Sequence, residues 1–191
     1  MKEGTSIPSV DFKYRVRTDG NPITFVDETN GNDNPFEWKT VSSDDIFNNR
    51  RIVVFSLPGA FTPTCSTYQL PGFETHYKAI KTMGIDEIYC CSVNDTFVMN
   101  AWAEVLDIKN VKVIPDGSGN FTRFMGMLVG KNHVGFGMRS WRYMCVINDG
   151  IVEQWWQEPG INNDGSDSDP YGQTTPENMM DYLDTDEISI D

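Results

Sequence analysis

The sequence predicts an α/β fold in which a mixed central sheet carries helices on both faces. Three observations lead there. Apolar runs of strand length at residues 52–57, 87–93 and 111–114 alternate with segments at helical spacing. An Asn148-Asp149-Gly150 turn separates two further strand-like runs, 143–147 and 151–157, and a last helix starts at Thr175-Pro176-Glu177. Alternating strands and helices imply parallel pairing, whereas the tight turn implies an antiparallel hairpin, so the sheet must be mixed. With 191 residues, 39% of them hydrophobic and 12% aromatic, residues 1–191 are expected to form a single domain with a full core.

Taken in order, Val10, Phe12, Tyr14 and Val16 alternate with Asp11, Lys13, Arg15 and Arg17, the period of a half-buried strand. Residues 18–40, rich in Asn, Asp, Gly and Pro, read as a long loop with Thr24-Phe25-Val26 or Phe36-Glu37-Trp38 as short edge pieces. Ser43 suits the N-cap of a short helix over 44–48. The unbroken apolar run 52–57 belongs at the centre of the sheet, covered on both faces. Pro58-Gly59-Ala60-Phe61-Thr62-Pro63-Thr64-Cys65 then turns into a helix, with Thr62 as N-cap, Pro63 at the first helical position and Cys65 in the first turn. That helix continues through Tyr68, Leu70, Phe73, Tyr77 and Ile80 and is expected to kink or break into two segments at Pro71-Gly72.

Strand 87–93 follows; Asn94 or Asp95 caps a helix bearing Phe97, Val98, Ala101, Trp102, Val105 and Leu106; and 111–114 is a short strand. Asp116-Gly117-Ser118-Gly119 turns the chain into a helix near 121–127, and 130–137 reads as a flexible loop. In the hairpin, Trp155 and Trp156 point to opposite faces, one ring in the core and the other over a surface or subunit contact. Residues 158–174 form a polar loop without periodicity, and the final helix carries Met179, Met180, Tyr182 and Leu183. The outline fits a thioredoxin fold with an N-terminal extension.

The net charge of −13 is unevenly spread. All 15 basic residues lie in the first 142 positions and 12 of the 28 acidic ones follow, so the C-terminal portion, about 158–191, reads as a solvated acidic segment. No basic patch serves nucleic acid or anionic lipid, and no apolar run approaches the roughly 18 residues of a membrane span. The first residues lack the apolar core of a secretory signal, which points to the cytoplasm. Cys65, Cys90, Cys91 and Cys145 form neither a C-x-x-C pair nor a zinc spacing, His76 and His133 stand far apart as ordinary polar positions, and no glycine-rich phosphate loop occurs; no metal or other cofactor is expected.

Cys65 carries the chemistry. Free N–H groups at a helix start stabilise a thiolate and can lower a cysteine pKa from about 8.5 to roughly 3.5–7.5. Thr62 stands where a C-x-x-C protein has its first cysteine, which excludes dithiol exchange at this helix. Pro58-x-x-x-Thr62-x-x-Cys65 resembles the active-site motif of the peroxiredoxins. Together with Cys91-Ser92-Val93-Asn94-Asp95-Thr96-Phe97-Val98 and Arg139-Ser140-Trp141-Arg142-Tyr143 it is similar to the atypical type II subfamily over about residues 7–160.

The resemblance implies a thiol-dependent peroxidase acting on hydrogen peroxide and small organic hydroperoxides. It implies Cys65 as peroxidatic nucleophile, Arg142 as the cation that stabilises the thiolate and polarises the O–O bond, Thr62 as the hydroxyl that orients the peroxide, Pro58 as a shield, and Phe61 beside the substrate. Arg139, the rival cation, is ranked as support for Arg142 or the loop, and Gln69 stands where many members have a histidine. On residues alone, Cys65 is equally a packing cysteine, Thr62 only a cap, Arg142 a strand-edge ion-pair partner and Pro58 a strand terminator.

Cys90, Cys91 and Cys145 fall in interior strands and read as structural, which makes a one-cysteine type that draws on an external thiol, glutathione, glutaredoxin or thioredoxin. A competing reading is a peroxide-responsive sensor or interaction protein with little turnover. The resemblance further implies a homodimer, with the aromatic-rich region of Phe61, Trp102 and Trp141 as its expected contact.

Overall fold

The structure, a computed structural model, describes residues 3–18 and 36–187. Strands β1 (Asp11–Arg17) and β2 (Phe36–Ser42) pair antiparallel along their whole length, Asp11 opposite Ser42 and Arg17 opposite Phe36. Phe36-Glu37-Trp38 is therefore the start of a full strand rather than an edge piece; Thr24-Phe25-Val26 lies outside the described residues. Helix α1 (Ser43–Phe47) is capped by Ser42, not Ser43: the Ser42 hydroxyl accepts from Asp45 N–H while the Asp45 carboxylate accepts from Ser42 N–H. Ser43 instead donates to the Pro8 carbonyl and accepts from Val10 N–H, tying the N-terminal segment to the helix.

The central sheet is built from β3 (Arg51–Ser56), β4 (Glu87–Ser92), β5 (Lys112–Pro115), β8 (Tyr143–Asn148) and β9 (Ile151–Gln157) in the order β5-β4-β3-β8-β9. Parallel β5-β4-β3 meets antiparallel β3-β8-β9, as the βαβ units and the Asp149-Gly150 hairpin require. β3 is central, and its alternate side chains enter two cores. Val53 and Phe55 pack with α2 (Leu70–Thr82), α3 (Thr96–Val105) and α5 (Pro176–Glu187) through Phe73, Trp102, Met179 and Leu183. Ile52 and Val54 pack on the opposite face with β1, α1 and α4 (Asn120–Phe124) through Phe12, Phe47 and Phe121. Burial on both faces is why this strand reads as an unbroken apolar run. Trp155 stacks on Tyr143 at 4.6 Å while Trp156 meets Tyr182 edge-on at 5.4 Å, so the two indoles occupy opposite faces and both are half-buried.

Three expectations change. Residues 130–137 do not form a simple flexible loop: β6 (Leu128–Gly130) and β7 (Met138–Ser140) pair antiparallel around a 3-10 turn at Asn132–Val134. Gly135 and Gly137, at φ 76° and 73°, close that connection, and three-residue strands are too short to show a period. α4 ends near Phe124, earlier than expected, because Gly126 adopts a left-handed conformation that terminates it. The helix after Cys65 is not broken at Pro71-Gly72. A π-helical turn, Cys65–Gln69, precedes α2, with Leu70 N–H bonded to the Cys65 carbonyl, and Pro71 sits in the first turn of the α-helical part, where its missing N–H costs little.

Asp149 and Gly150 both take positive φ, 47° and 75°, the pair needed for a two-residue type I′ hairpin. A Cβ added at Gly150 would also stand 2.9 Å from Asn48 Oδ1. Gly150→Ala is expected to destabilise the fold by about 1 kcal/mol or more, read as a lower urea midpoint with an unchanged slope.

Candidate active site

β3 delivers the chain to the site and the turn after it is held by backbone contacts. Pro58 and Gly59 are buried. Asn94, just beyond β4, accepts from Ala60 N–H at 3.0 Å and from the Ser92 hydroxyl at 2.8 Å, pinning the turn to the neighbouring strand. Phe61 takes φ 63° and projects outward with 54% of its surface exposed. Thr62 precedes the first helical residue, as expected, and its carbonyl accepts from Ser66 N–H at 3.0 Å. Its side chain does not cap: the hydroxyl turns back and donates to the Gly59 carbonyl at 2.7 Å. Ser66 accepts from the Trp102 indole N–H at 2.9 Å, which fastens the helix start to α3 beside Cys65.

Antiparallel pairing of Ser56 with Tyr143 brings the residue before β8, Arg142, to the end of β3 where the turn begins. Arg142 is only 2% exposed and Cys65 is fully buried. Arg142 Nη1 donates to Cys65 Sγ at 3.4 Å and to Gln69 Oε1 at 2.5 Å, Nη2 donates to Asp169 Oδ1 at 2.6 Å, and Nε donates to the Pro170 carbonyl at 3.1 Å. The Tyr171 ring covers the guanidinium at 5.6 Å. Burial works against the arginine's charge, but coupling to Cys65 and Asp169 outweighs it and holds the Arg142 pKa above the usual arginine value. Cys65 and Gln69, one helical turn apart, thus face one cation. A thiolate at Cys65 would meet a fixed positive partner in a buried setting, which is the kind of surrounding that activates a nucleophile.

The remaining expected residues divide. Pro58 and Thr62 line a cleft of about 240 Å³ together with Lys131, His133, Val134, Phe136 and Asp169. Arg139 does not touch Arg142; its Nη1 donates to the Val93 carbonyl and its Nε to the Phe136 carbonyl, each at 3.0 Å, so it braces the loop. Trp102 and Trp141 belong to the core, 0% and 2% exposed, and cannot form the surface expected around Phe61. Cys90, Cys91 and Cys145 are free and buried, and burial pushes all three thiols upward. Among the described residues, no helix is long and apolar enough to cross a membrane.

The Redoxin family pattern matches residues 2–171. A peroxiredoxin of Rhizobium etli is 53% identical over 177 residues, covering 93% of each chain. Peroxiredoxin y4vD of Sinorhizobium fredii is 52% identical over 179 residues, 94% of this chain and 90% of the relative. Among solved structures, the Plasmodium falciparum antioxidant protein, a 1-Cys peroxiredoxin, superposes with a TM-score of 0.83 at 36% identity, covering 96% of this chain and 99% of that one.

Sequence reasoning missed the support behind the cation. The Gln69 amide N–H reaches the Thr174 hydroxyl at 3.2 Å, and that hydroxyl donates to Glu158 Oε1 at 2.9 Å. The same oxygen accepts from the N–H groups of Gly172, Gln173 and Thr174. Glu158 is 1% exposed, and Lys131 forms an ion pair with Asp167 at 2.7 Å with both side chains nearly sealed from solvent. Part of the segment read as a solvated acidic tail is therefore internal framework; the one usable signal was a carboxylate directly after an apolar strand. Glu158→Ala leaves three backbone donors and a hydroxyl without their acceptor. It is expected to cost about 3 kcal/mol or more, measured by denaturant unfolding.

Proposed function

The chain belongs to the peroxiredoxin family, the thiol-dependent peroxidases, and from that premise we propose that it reduces hydrogen peroxide and small organic hydroperoxides through Cys65 as its one working sulfur. The observation that carries this reading is the 3.4 Å contact between Arg142 Nη1 and a fully buried Cys65 Sγ. The thiolate attacks the terminal oxygen of the peroxide and the O–O bond breaks. The departing oxygen takes a proton to become water or an alcohol, and Cys65 keeps the other oxygen as a sulfenic acid.

Arg142 stabilises the attacking thiolate and the charge growing on the leaving oxygen. Because Thr62 has committed its hydrogen to Gly59, it meets the peroxide as an acceptor of the O–H. Pro58 keeps water from the sulfur, and Phe61 flanks the approach. Val134 and Phe136 give the cleft an apolar wall suited to a small organic group. Gln69 and Arg139 support, the first by gripping Arg142 and the second by bracing the loop.

The cycle closes with an external thiol: it attacks the sulfenic sulfur, expels water and leaves a mixed disulfide, and a second thiol releases Cys65. Glutathione, glutaredoxin and thioredoxin all fit this chemistry. The buried Cys90, Cys91 and Cys145, with thiols pushed up by burial, are poor resolving partners, which supports the one-cysteine form. Four free thiols suit a reducing cytoplasm. Exposed Phe61, Val134, Phe136 and Met138 supply apolar surface for a homodimer in place of the buried tryptophans.

Cys65→Ser should abolish peroxide consumption while leaving the fold intact; full activity in that variant would sink the assignment. Arg142→Ala should slow the reaction of Cys65 with peroxide by about 10²-fold or more, followed by stopped-flow kinetics. Mass spectrometry of alkylated protein after one equivalent of peroxide should find a sulfenic acid or mixed disulfide on Cys65, and no link to Cys90, Cys91 or Cys145. Sustained turnover with a catalytic amount of protein separates the enzyme from a sensor that oxidises once.

A further inference from the structure

We propose that Asp169 is a positioning residue of the peroxidase cycle, the resident counter-ion that keeps Arg142 seated whenever the Cys65 sulfur is uncharged. The proposal rests on the reading of Cys65 and Arg142 given above. Through that cycle the sulfur passes from an anionic thiolate to a neutral sulfenic acid and a neutral mixed disulfide, and then back. The guanidinium stays positive throughout, and it is 2% exposed. A buried cation whose counter-charge vanishes is strongly disfavoured and would be driven to move toward water. Gln69 Oε1 and the Pro170 carbonyl are neutral acceptors and cannot replace the lost charge. Asp169 Oδ1, 2.6 Å from Nη2, is the one carboxylate in direct contact with Arg142 among the described residues.

Asp169 is built to stay there, although 45% of its side chain is exposed. Its backbone lies at φ 53°, a left-handed conformation that costs a residue with a side chain and that Asp tolerates better than most. Its N–H donates to Asp167 Oδ1 at 3.1 Å. Asp167 is in turn held by the sealed Lys131, whose ammonium lies 4.8 Å over the Trp141 ring. The following residue, Pro170, presents its carbonyl to Nε, so two consecutive residues grip one edge of the guanidinium while Cys65 and Gln69 take the other. The carboxylate also lines the cleft beside Thr62.

This arrangement divides the arginine's N–H groups between the sulfur on one side and Asp169 on the other. Of the neighbouring titratable groups, the Cys90 thiol is pushed up chiefly by burial and the Tyr171 hydroxyl is raised, again chiefly by burial, to about 12. Both are neutral near pH 7, so neither supplies a counter-charge to Arg142.

Asp169→Asn keeps the size and one acceptor oxygen and removes only the charge. The first oxidation should be retained within about threefold, whereas steady-state turnover with a dithiol reductant should fall about tenfold, because the steps that start from neutral sulfur lose the seated cation. Asp169→Glu should restore the turnover in part. A residue that only pinned the loop would lower stability in Asp169→Ala and leave the turnover of Asp169→Asn unchanged; that result overturns the proposal. Failure of the parent reading looks different: Cys65 of the unaltered protein would not be oxidised by peroxide at all.

Discussion

A guanidinium cannot be buried unless nearly all of its N–H groups find acceptors and its charge finds a partner. At Arg142 that requirement organises half the molecule. The end of β3 supplies the turn that leads to Cys65, the π-helical turn supplies Cys65 and Gln69 together, and residues 158–174 supply Asp169 and Pro170. Glu158 and Thr174 then hold the pieces that hold the arginine. The sheet order matters because only an antiparallel β8 beside β3 brings the cation to the strand end that carries the sulfur.

The π-helical turn is the local device that makes one helix face serve one cation. Proline would clash with the carbonyl four residues earlier if α-helical winding ran unchanged through Pro71. Widening the turn over Cys65–Gln69 places that proline at the beginning of the tighter helix. The fold thus accommodates Pro71 without a break and keeps the Ser66 contact to Trp102 that fastens the helix start.

What the sequence disclosed follows from how far each signal reaches. The central strands, the Asp149-Gly150 hairpin and the Pro58-to-Cys65 turn are specified by neighbouring residues, so their composition announces them. Arg142 was legible because it borders a strand within a distinctive motif. Asp169, Glu158 and Thr174 were not, since a loop carboxylate has no period and its burial is decided by donors far along the chain, such as Gln69, 105 residues from Thr174. The exposure of Trp102 and Trp141 was misjudged for a related reason: each indole N–H finds its acceptor inside, at Ser66 and at the Glu158 carbonyl, and a satisfied indole packs as core. Ser42 displaced Ser43 as a cap because Asp45 stands at the right spacing to complete the box only with Ser42.

The sequence distances across the site bear on how the protein is made. The sulfur and its cation are 77 residues apart, and the carboxylate that balances the cation lies 27 residues later still. A ribosome therefore releases Cys65 long before the segment that completes its surroundings. Until residue 169 has emerged and docked, the Arg142 guanidinium lacks the carboxylate that balances it. The charge pair at the sulfur is thus a late contact of the folding chain: residues 58–69 cannot form it by local structure, and it closes only when residues 142 and 169 have both docked.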